Sequence, residues 1–381
     1  MNTETLTPTA ATLSAAAGHA HPNQFALLGQ RRFAPFFWTQ FSGAANDNLF
    51  KFAFTVMVTY QLSVDWLPPA MAGLTIGALF ILPFLLFSAT AGQLTDKYDK
   101  TLMIRFVKNL EIAIMLIAAY GFIRDNVPVL LLCTFLMGVH STLFGPVKFA
   151  LLPQVLNERE LTGGNGMVEM GTSVAILVGM MLGGWLVAQE GWGVAAAAFV
   201  TMGISATGFL LSRLIPLAPA AAPELKINWN PFTETWRNFQ FMRGNRTVFL
   251  SVLGISWFWF YGSIFITQFP NLSKDILSGQ ESVVTLLLIV FSIGIGIGSL
   301  LCERLSGRKV EIGLVPFGSI GLTLFGIDLY FALAAHLQHE PMALAAFVRD
   351  AGHWRILADL FLIGLFGGFY IVPLYALIQI R

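Results

Sequence analysis

Charge is what this 381-residue chain has least of: Asp, Glu, Lys and Arg make up 11% of it, against about 25% in soluble domains. The net charge is only +1, so there is no electrostatic case for a nucleic-acid partner. Cysteine is nearly absent. Cys133 and Cys302 lie far apart in apolar segments with no CxxC spacing, which argues against a disulfide scaffold or a zinc site and points to buried free thiols. No Gly-x4-Gly-Lys-Ser/Thr loop, Ser/His/Asp signature or metal spacing is present, so an ATP-driven pump or a membrane hydrolase has little support, and neither cofactor nor metal is expected. The first residues lack a basic start followed by an apolar core, so they are not a signal peptide. Rich in Thr, Ala and Ser, residues 1–32 read as a disordered tail.

What the chain has instead is apolar sequence. Hydrophobic residues make up 56%, with 34 Phe and 36 Gly, a composition suited to packed membrane helices. A spanning helix needs about 20 mostly apolar residues. Ten such segments are legible, at 33–63, 70–94, 102–123, 127–152, 165–188, 192–214, 247–272, 281–302, 311–335 and 356–379. Between the sixth and seventh lies a segment with Pro216, Pro219, Pro223 and Pro231, read as a linker over 215–246 with a short surface helix near 232–242. Counting sides from the tail, only Arg124, Lys274, Arg349 and Arg355 fall on the far side, and every other lysine and arginine except Lys51 falls on the tail's side. By the positive-inside rule the N-terminus is cytoplasmic, in an inner membrane.

The most informative stretch is Gln40–Lys51, QFSGAANDNLFK, because it is polar in the middle of the first span. A carboxylate at bilayer depth costs about 2.5–3.5 kcal/mol on insertion scales, so it needs a partner or water. Asp47 and Lys51 are one helical turn apart and are expected to pair, with Gln40 on the same face. This predicts a charged stripe facing a protein interior or cavity, either as an internal ion pair that locks helices or as part of a substrate or ion path.

The chain also repeats itself. Gly92-Gln-Leu-Thr-Asp96-Lys97 ends the second span, and Gly298-Ser-Leu-Leu-Cys-Glu303-Arg304-Leu-Ser-Gly307-Arg308-Lys309 ends the eighth, on the same side. A weaker echo links Pro146–Leu152 with Pro373–Ile378. Motifs six spans apart predict two related halves, a six-helix bundle over 33–214 and a second bundle over 247–381, an arrangement used by transporters. The second half carries four spans, so the expectation is a chain with ten of twelve helices, two being absent after Arg381. Gly92 is expected to allow close helix contact, and Asp96 to cap the third span and pair across the half-interface. Gly92, Asp96, Lys97, Glu303, Arg304, Arg308 and Lys309 are read as controlling conformation.

Further candidates are Lys148, after the bend expected at Gly145-Pro146, and Glu111, expected to pair with Lys108 or Lys148. Glu169 reads as solvated near the membrane surface, Asp328 as a second cavity acid without a local partner, and His140 as a satisfied interior histidine. The aromatic run Trp257–Tyr261 is expected to divide between lipid and an apolar cavity wall. Gly179/Gly183 and Gly294/Gly298 have small-xxx-small spacing, expected to pack helices closely.

The Gly-x-Leu-x-Asp-Lys turn resembles the signature loop of the major facilitator superfamily, although Tyr98-Asp99-Lys100 stands where Gly-Arg-Lys is common. Gly43–Lys51, Phe144–Pro153, Asn157–Leu161, Gly163–Gly166 and Phe269-Pro270-Asn271 resemble its lysophospholipid transporter branch, which includes members fused to an acyltransferase. The resemblance covers about Phe33 to the C-terminus. It implies an all-α, twelve-helix carrier that moves lysophospholipid or another amphiphile by alternating access, with an acyltransferase as a partner or as a fused domain after Arg381. It carries a functional role to Asp47, Asn46, Asn48 and Lys148. The substrate-binding or coupling set is then Asp47, Asn46, Asn48, Lys51, Gln40, Lys148 and Glu111. A proton-coupled carrier of a soluble metabolite or drug is the alternative within this fold, and a non-transporting scaffold that presents lipid to an acyltransferase is the alternative outside it.

Overall fold

The computed structural model describes residues 24–380 except Ser63, Gln280, Arg308 and residues 335–341. The helices run α1 Ala34–Val56, α2 Pro69–Lys97, α3 Lys100–Ile123, α4 Val127–Val155, α5 Glu158–Val187, α6 Gly193–Ser212, α7 Pro231–Gly244, α8 Arg246–Asn271, α9 Glu281–Leu305, α10 Leu314–Ala334, α11 Leu344–Arg349 and α12 Trp354–Gln379. Among the described residues there is no strand, only one isolated bridge between Gly279 and Met342. All the long helices coincide with the predicted spans, and eight are long and apolar enough to cross a membrane by length and composition. The two outside that set are α1 and α3, which carry Asp47, Lys51, Lys108 and Glu111.

Caps explain where boundaries differ from the hydropathy reading. α5 begins at Glu158 rather than 165 because Asn157 and Glu160 form a capping box, which satisfies two free backbone donors and starts the helix in polar sequence. α3 is capped by Asp99, whose carboxylate accepts from the Thr101 and Leu102 amides at 2.8 and 3.0 Å. The cap is therefore not Asp96, which is exposed at the end of α2. Asp99→Ala is accordingly expected to lower stability by about 1 kcal/mol, with Asp96→Ala near neutral. Equal melting temperatures for the two variants would contradict this.

Glycine pairs set the closest helix contacts. A Cβ at Gly179 or Gly183 would lie 2.3 or 2.6 Å from the Ala45 or Leu49 carbonyl of α1, and one at Gly294 or Gly298 would lie 2.2 or 2.0 Å from the Phe361 or Leu365 carbonyl of α12. Both small-xxx-small pairs thus join helices backbone to backbone. Gly92 does not: among the described residues, no atom beyond its own stretch of helix lies within 4 Å of its Cβ position. Pairings recur along the chain, with α2 and α3 packing on α4 as α9 and α10 pack on α12. Cys133 and Cys302 are free and buried.

Two segments read as loose are tied down. Residues 24–29, placed by sequence in the disordered tail, form a 3-10 helix with Gln24 and Leu27 buried. The linker after α6 is bound along the ends of α2 and α3. The Lys100 amide donates to Ala218 O at 2.9 Å, the Ala222 amide to Asp96 O at 2.8 Å, and the Asn228 amide to Gln93 Oε1 at 2.7 Å.

Candidate functional site

The polar centre of α1 does not form one stripe. Successive residues of a helix point about 100° apart, and Asn46, Asp47 and Asn48 go to three different surroundings. Asn46 is fully buried and donates from Nδ2 to Glu111 Oε1 at 2.8 Å. Asp47 Oδ2 accepts from Ser141 Oγ of α4 at 2.6 Å, and its Oδ1 is buried without a partner. Asn48 bonds back to Ala44 O at 2.8 Å and lines a central cavity, as does Lys51. The expected Asp47–Lys51 ion pair is not formed: the Lys51 ammonium lies over the Phe80 ring, 3.7 Å from its centroid. Phe80 on α2 offers a π-face within reach of the long side chain.

Asn46 leads into a buried cluster between α1, α3, α4 and α6. Lys108 Nζ stands 2.6 Å from Glu111 Oε2, and His140 Nε2 stands 3.3 Å from the same oxygen. Lys108 and Glu111 are 1% and 0% exposed. Glu111 therefore pairs with Lys108, not Lys148. The ammonium fits because two helices present glycine there: Cβ atoms at Gly43 and Gly208 would lie 2.8 and 3.2 Å from Nζ. His140 is the interior histidine the sequence suggested.

Lys148 and Gln40 meet elsewhere. Lys148 Nζ donates to Thr172 Oγ1 of α5 at 3.1 Å, and that hydroxyl lies 3.2 Å from Gln40 Oε1. One turn before Thr172 is Glu169, which is buried and lines the cavity. Sequence reading placed it in solvent because it started the helix at 165. From Glu158, Glu169 sits about 16 Å along the axis at 1.5 Å per residue. The signal that could have found it was the capping box.

The cavity encloses about 400 Å³, within the ~300–1,000 Å³ range of small-molecule sites. Its two charged groups, Lys51 and Glu169, come from α1 and α5, which also supply Asn48, Thr55 and Ser173, while α8 and α9 add the hydroxyls of Ser263 and Ser292. Apolar lining from α8 includes Phe258, Trp259, Gly262 and Ile266. The aromatic run divides as expected, since Phe258 is buried at the cavity and Phe260 is turned outward, 65% exposed.

At the tail end, contacts join the first six helices to the last group. Tyr375 stacks on Phe149 at 4.3 Å and accepts from Trp259 Nε1 at 2.7 Å. Asn165 and Gln379 exchange amide hydrogen bonds of 2.6 and 3.1 Å. Gln24 donates from its side chain to Leu300 O at 2.8 Å and from its amide to Glu303 at 3.3 Å. Of the residues read as controlling conformation, Glu303 is buried among these contacts and Lys309 contributes its carbonyl to Thr162. Arg304 and Asp96 are exposed, Lys97 lies beside the Tyr98 ring, and Arg308 lies outside the described residues. Asp328 is not a cavity acid. It is paired with Arg355 at the surface.

Residues 36–381 match the family profile described as Major Facilitator Superfamily. A lysophospholipid transporter from Serratia proteamaculans, LplT, is 28% identical over 348 residues, covering 90% of this chain and 78% of that one. Its namesake from Yersinia enterocolitica is 28% identical over 349 residues, with 90% and 77% covered. Among solved structures, an outward-facing bacterial homologue of the iron transporter ferroportin superposes with a TM-score of 0.61 at 15% identity, covering 92% of this chain and 84% of that one. The E. coli fucose:proton symporter FucP gives 0.62 at 12% identity, with 91% and 88% covered. At these identities the solved structures establish a shared fold alone.

Proposed function

The chain belongs to the Major Facilitator Superfamily, and from that premise we propose that it is a secondary transporter that moves lysophospholipid across a bacterial inner membrane by alternating access. The observation that carries this reading is the amphiphilic cavity. Its two charged side chains are Lys51 of α1 and Glu169 of α5, set in a largely apolar lining that includes Phe52, Phe258, Trp259 and Phe291, which suits a zwitterionic head group with a single acyl chain. The relatives that bear the name lysophospholipid transporter support the substrate class.

In this proposal Lys51 meets the head-group phosphate and Glu169 its ammonium, while Phe258, Trp259 and Ile266 flank the chain. Asp47, with Asn46 and Glu111 behind it, and Lys148, with Gln40, form the polar layer behind the cavity wall; we assign them to the head group as it moves inward. The moving units are α1–α6 and α8–α12, joined by 215–246. With the N-terminus cytoplasmic, the tail-end contacts of Tyr375, Gln379 and Gln24 are the closed inner gate of an outward-facing state. An acyltransferase that consumes the imported lysolipid is the partner this reading suggests.

The test is flipping of fluorescent lysophosphatidylethanolamine by the protein in proteoliposomes. Lys51→Met and Glu169→Gln are each expected to slow it about tenfold or more, the loss of one charge-assisted contact of ~1.5–3 kcal/mol. Wild-type rates in both variants would overturn the site. Absence of flipping by the unmodified protein would overturn the substrate.

A further inference from the structure

Helix α7 is built inside out. Its buried residue is acidic: Glu234 is 1% exposed, pairs with Arg237 and accepts from Asn228 Nδ2 at 3.3 Å. Its large apolar residues face outward, with Phe232, Trp236 and Phe241 at 79%, 61% and 84% exposed. In water this arrangement would forfeit hydrophobic burial at every turn, whereas against lipid tails it is the favoured one. The helix is also firmly placed. Asn230 caps it by accepting from the Phe232 and Thr233 amides, and Gln93 of α2 holds the preceding Asn228 through two backbone bonds of 2.7 and 3.0 Å.

Between α7 and α2 this leaves a groove of about 480 Å³, lined by Leu85, Leu86, Phe232, Trp236 and Phe239. None of these residues lines the central cavity. At the groove's edge the Arg243 guanidinium lies over Phe239, 5.9 Å from the ring centroid. Among the described residues Arg243 has no carboxylate partner, and neither has Arg246 just beyond the helix. An apolar slot with an uncompensated cation at its rim matches one class of ligand, an acyl chain that ends in a phosphate.

We propose that this groove is a binding site for an anionic phospholipid of the surrounding leaflet. The acyl chain lies along Leu85 and Trp236, and the phosphate rests on Arg243. α7 packs on α2 and leads directly into α8, so the bound lipid sits where the first six helices meet the last group. The site is independent of what the central cavity carries.

The experiment is native mass spectrometry of the purified full chain, incubated with phosphatidylglycerol or with phosphatidylcholine of the same acyl chains. Phosphatidylglycerol is expected to be retained preferentially. Arg243→Gln is expected to cut that preference about fivefold, the share of one basic side chain at an anionic surface. Leu85→Trp, at a position 78% exposed and so no threat to folding, is expected to fill the groove and lower retention of both lipids. Equal retention of the two lipids by the unmodified protein would overturn the proposal, as would retention unchanged in Leu85→Trp.

Discussion

Glu111→Ala is expected to destabilise the protein by about 3–5 kcal/mol, because it leaves a buried cation with no counter-charge. The Lys108 ammonium is 1% exposed and cannot snorkel to water. Gly43 and Gly208 close on it from two helices, and the Phe144 ring lies 5.8 Å away. The substitution also orphans Asn46 Nδ2, whose one hydrogen bond among the described residues is to Glu111. Replacing both ions behaves differently, since an apolar pair of similar volume avoids desolvating either charge. Glu111→Leu with Lys108→Met is therefore expected to regain most of the loss. Thermal unfolding in detergent, followed by size exclusion, checks both. A Glu111→Ala variant that melts with the wild type would refute the argument, as would a double variant no better than the single one.

Gly298→Ala is expected to destabilise by ~3 kcal/mol, the upper end of overpacking costs. The added Cβ would lie 2.0 Å from the Leu365 carbonyl and 2.7 Å from its carbon. Backbone cannot turn aside as a side chain can, so α9 and α12 must separate along their contact. Gly92→Ala is the contrasting case. With open space at its Cβ position, the lower entropy of the unfolded chain is expected to stabilise by ~0.4–1 kcal/mol. Melting temperatures that move in opposite directions would support both statements. Equal shifts would show that helix glycine content, not contact geometry, is what matters.

The contrast between Gly298 and Gly92 also marks how much was legible beforehand. Both begin signature turns and look equivalent in sequence. Gly179/Gly183 and Gly294/Gly298 were read correctly because small residues four apart make a continuous stripe on one helix face. Gly92 belongs to no such stripe, and its role as a contact was inferred from the turn alone. Asp96 failed likewise: Asp99 lies immediately before α3 and so takes the capping position. Hydropathy starts α5 at 165 and so leaves Glu169 near the surface, whereas the capping box at Asn157 starts the helix at Glu158 and sets Glu169 about three turns in. Asp328 was misread because its partner, Arg355, lies 27 positions away on another helix.

Composition and local pattern determined which segments are helices, roughly where each ends, and that the first span carries polar groups needing partners. Those are properties of one helix in an apolar medium, set by about 20 consecutive residues. Only the tertiary structure decided what each polar group meets. A rotation of about 100° per residue sends Asn46 to Glu111, Asp47 to Ser141 and Asn48 to the cavity. Which of these directions leads to a neighbour and which to open space depends on how helices distant in sequence pack, and that is fixed by backbone contacts such as Gly179 on Ala45.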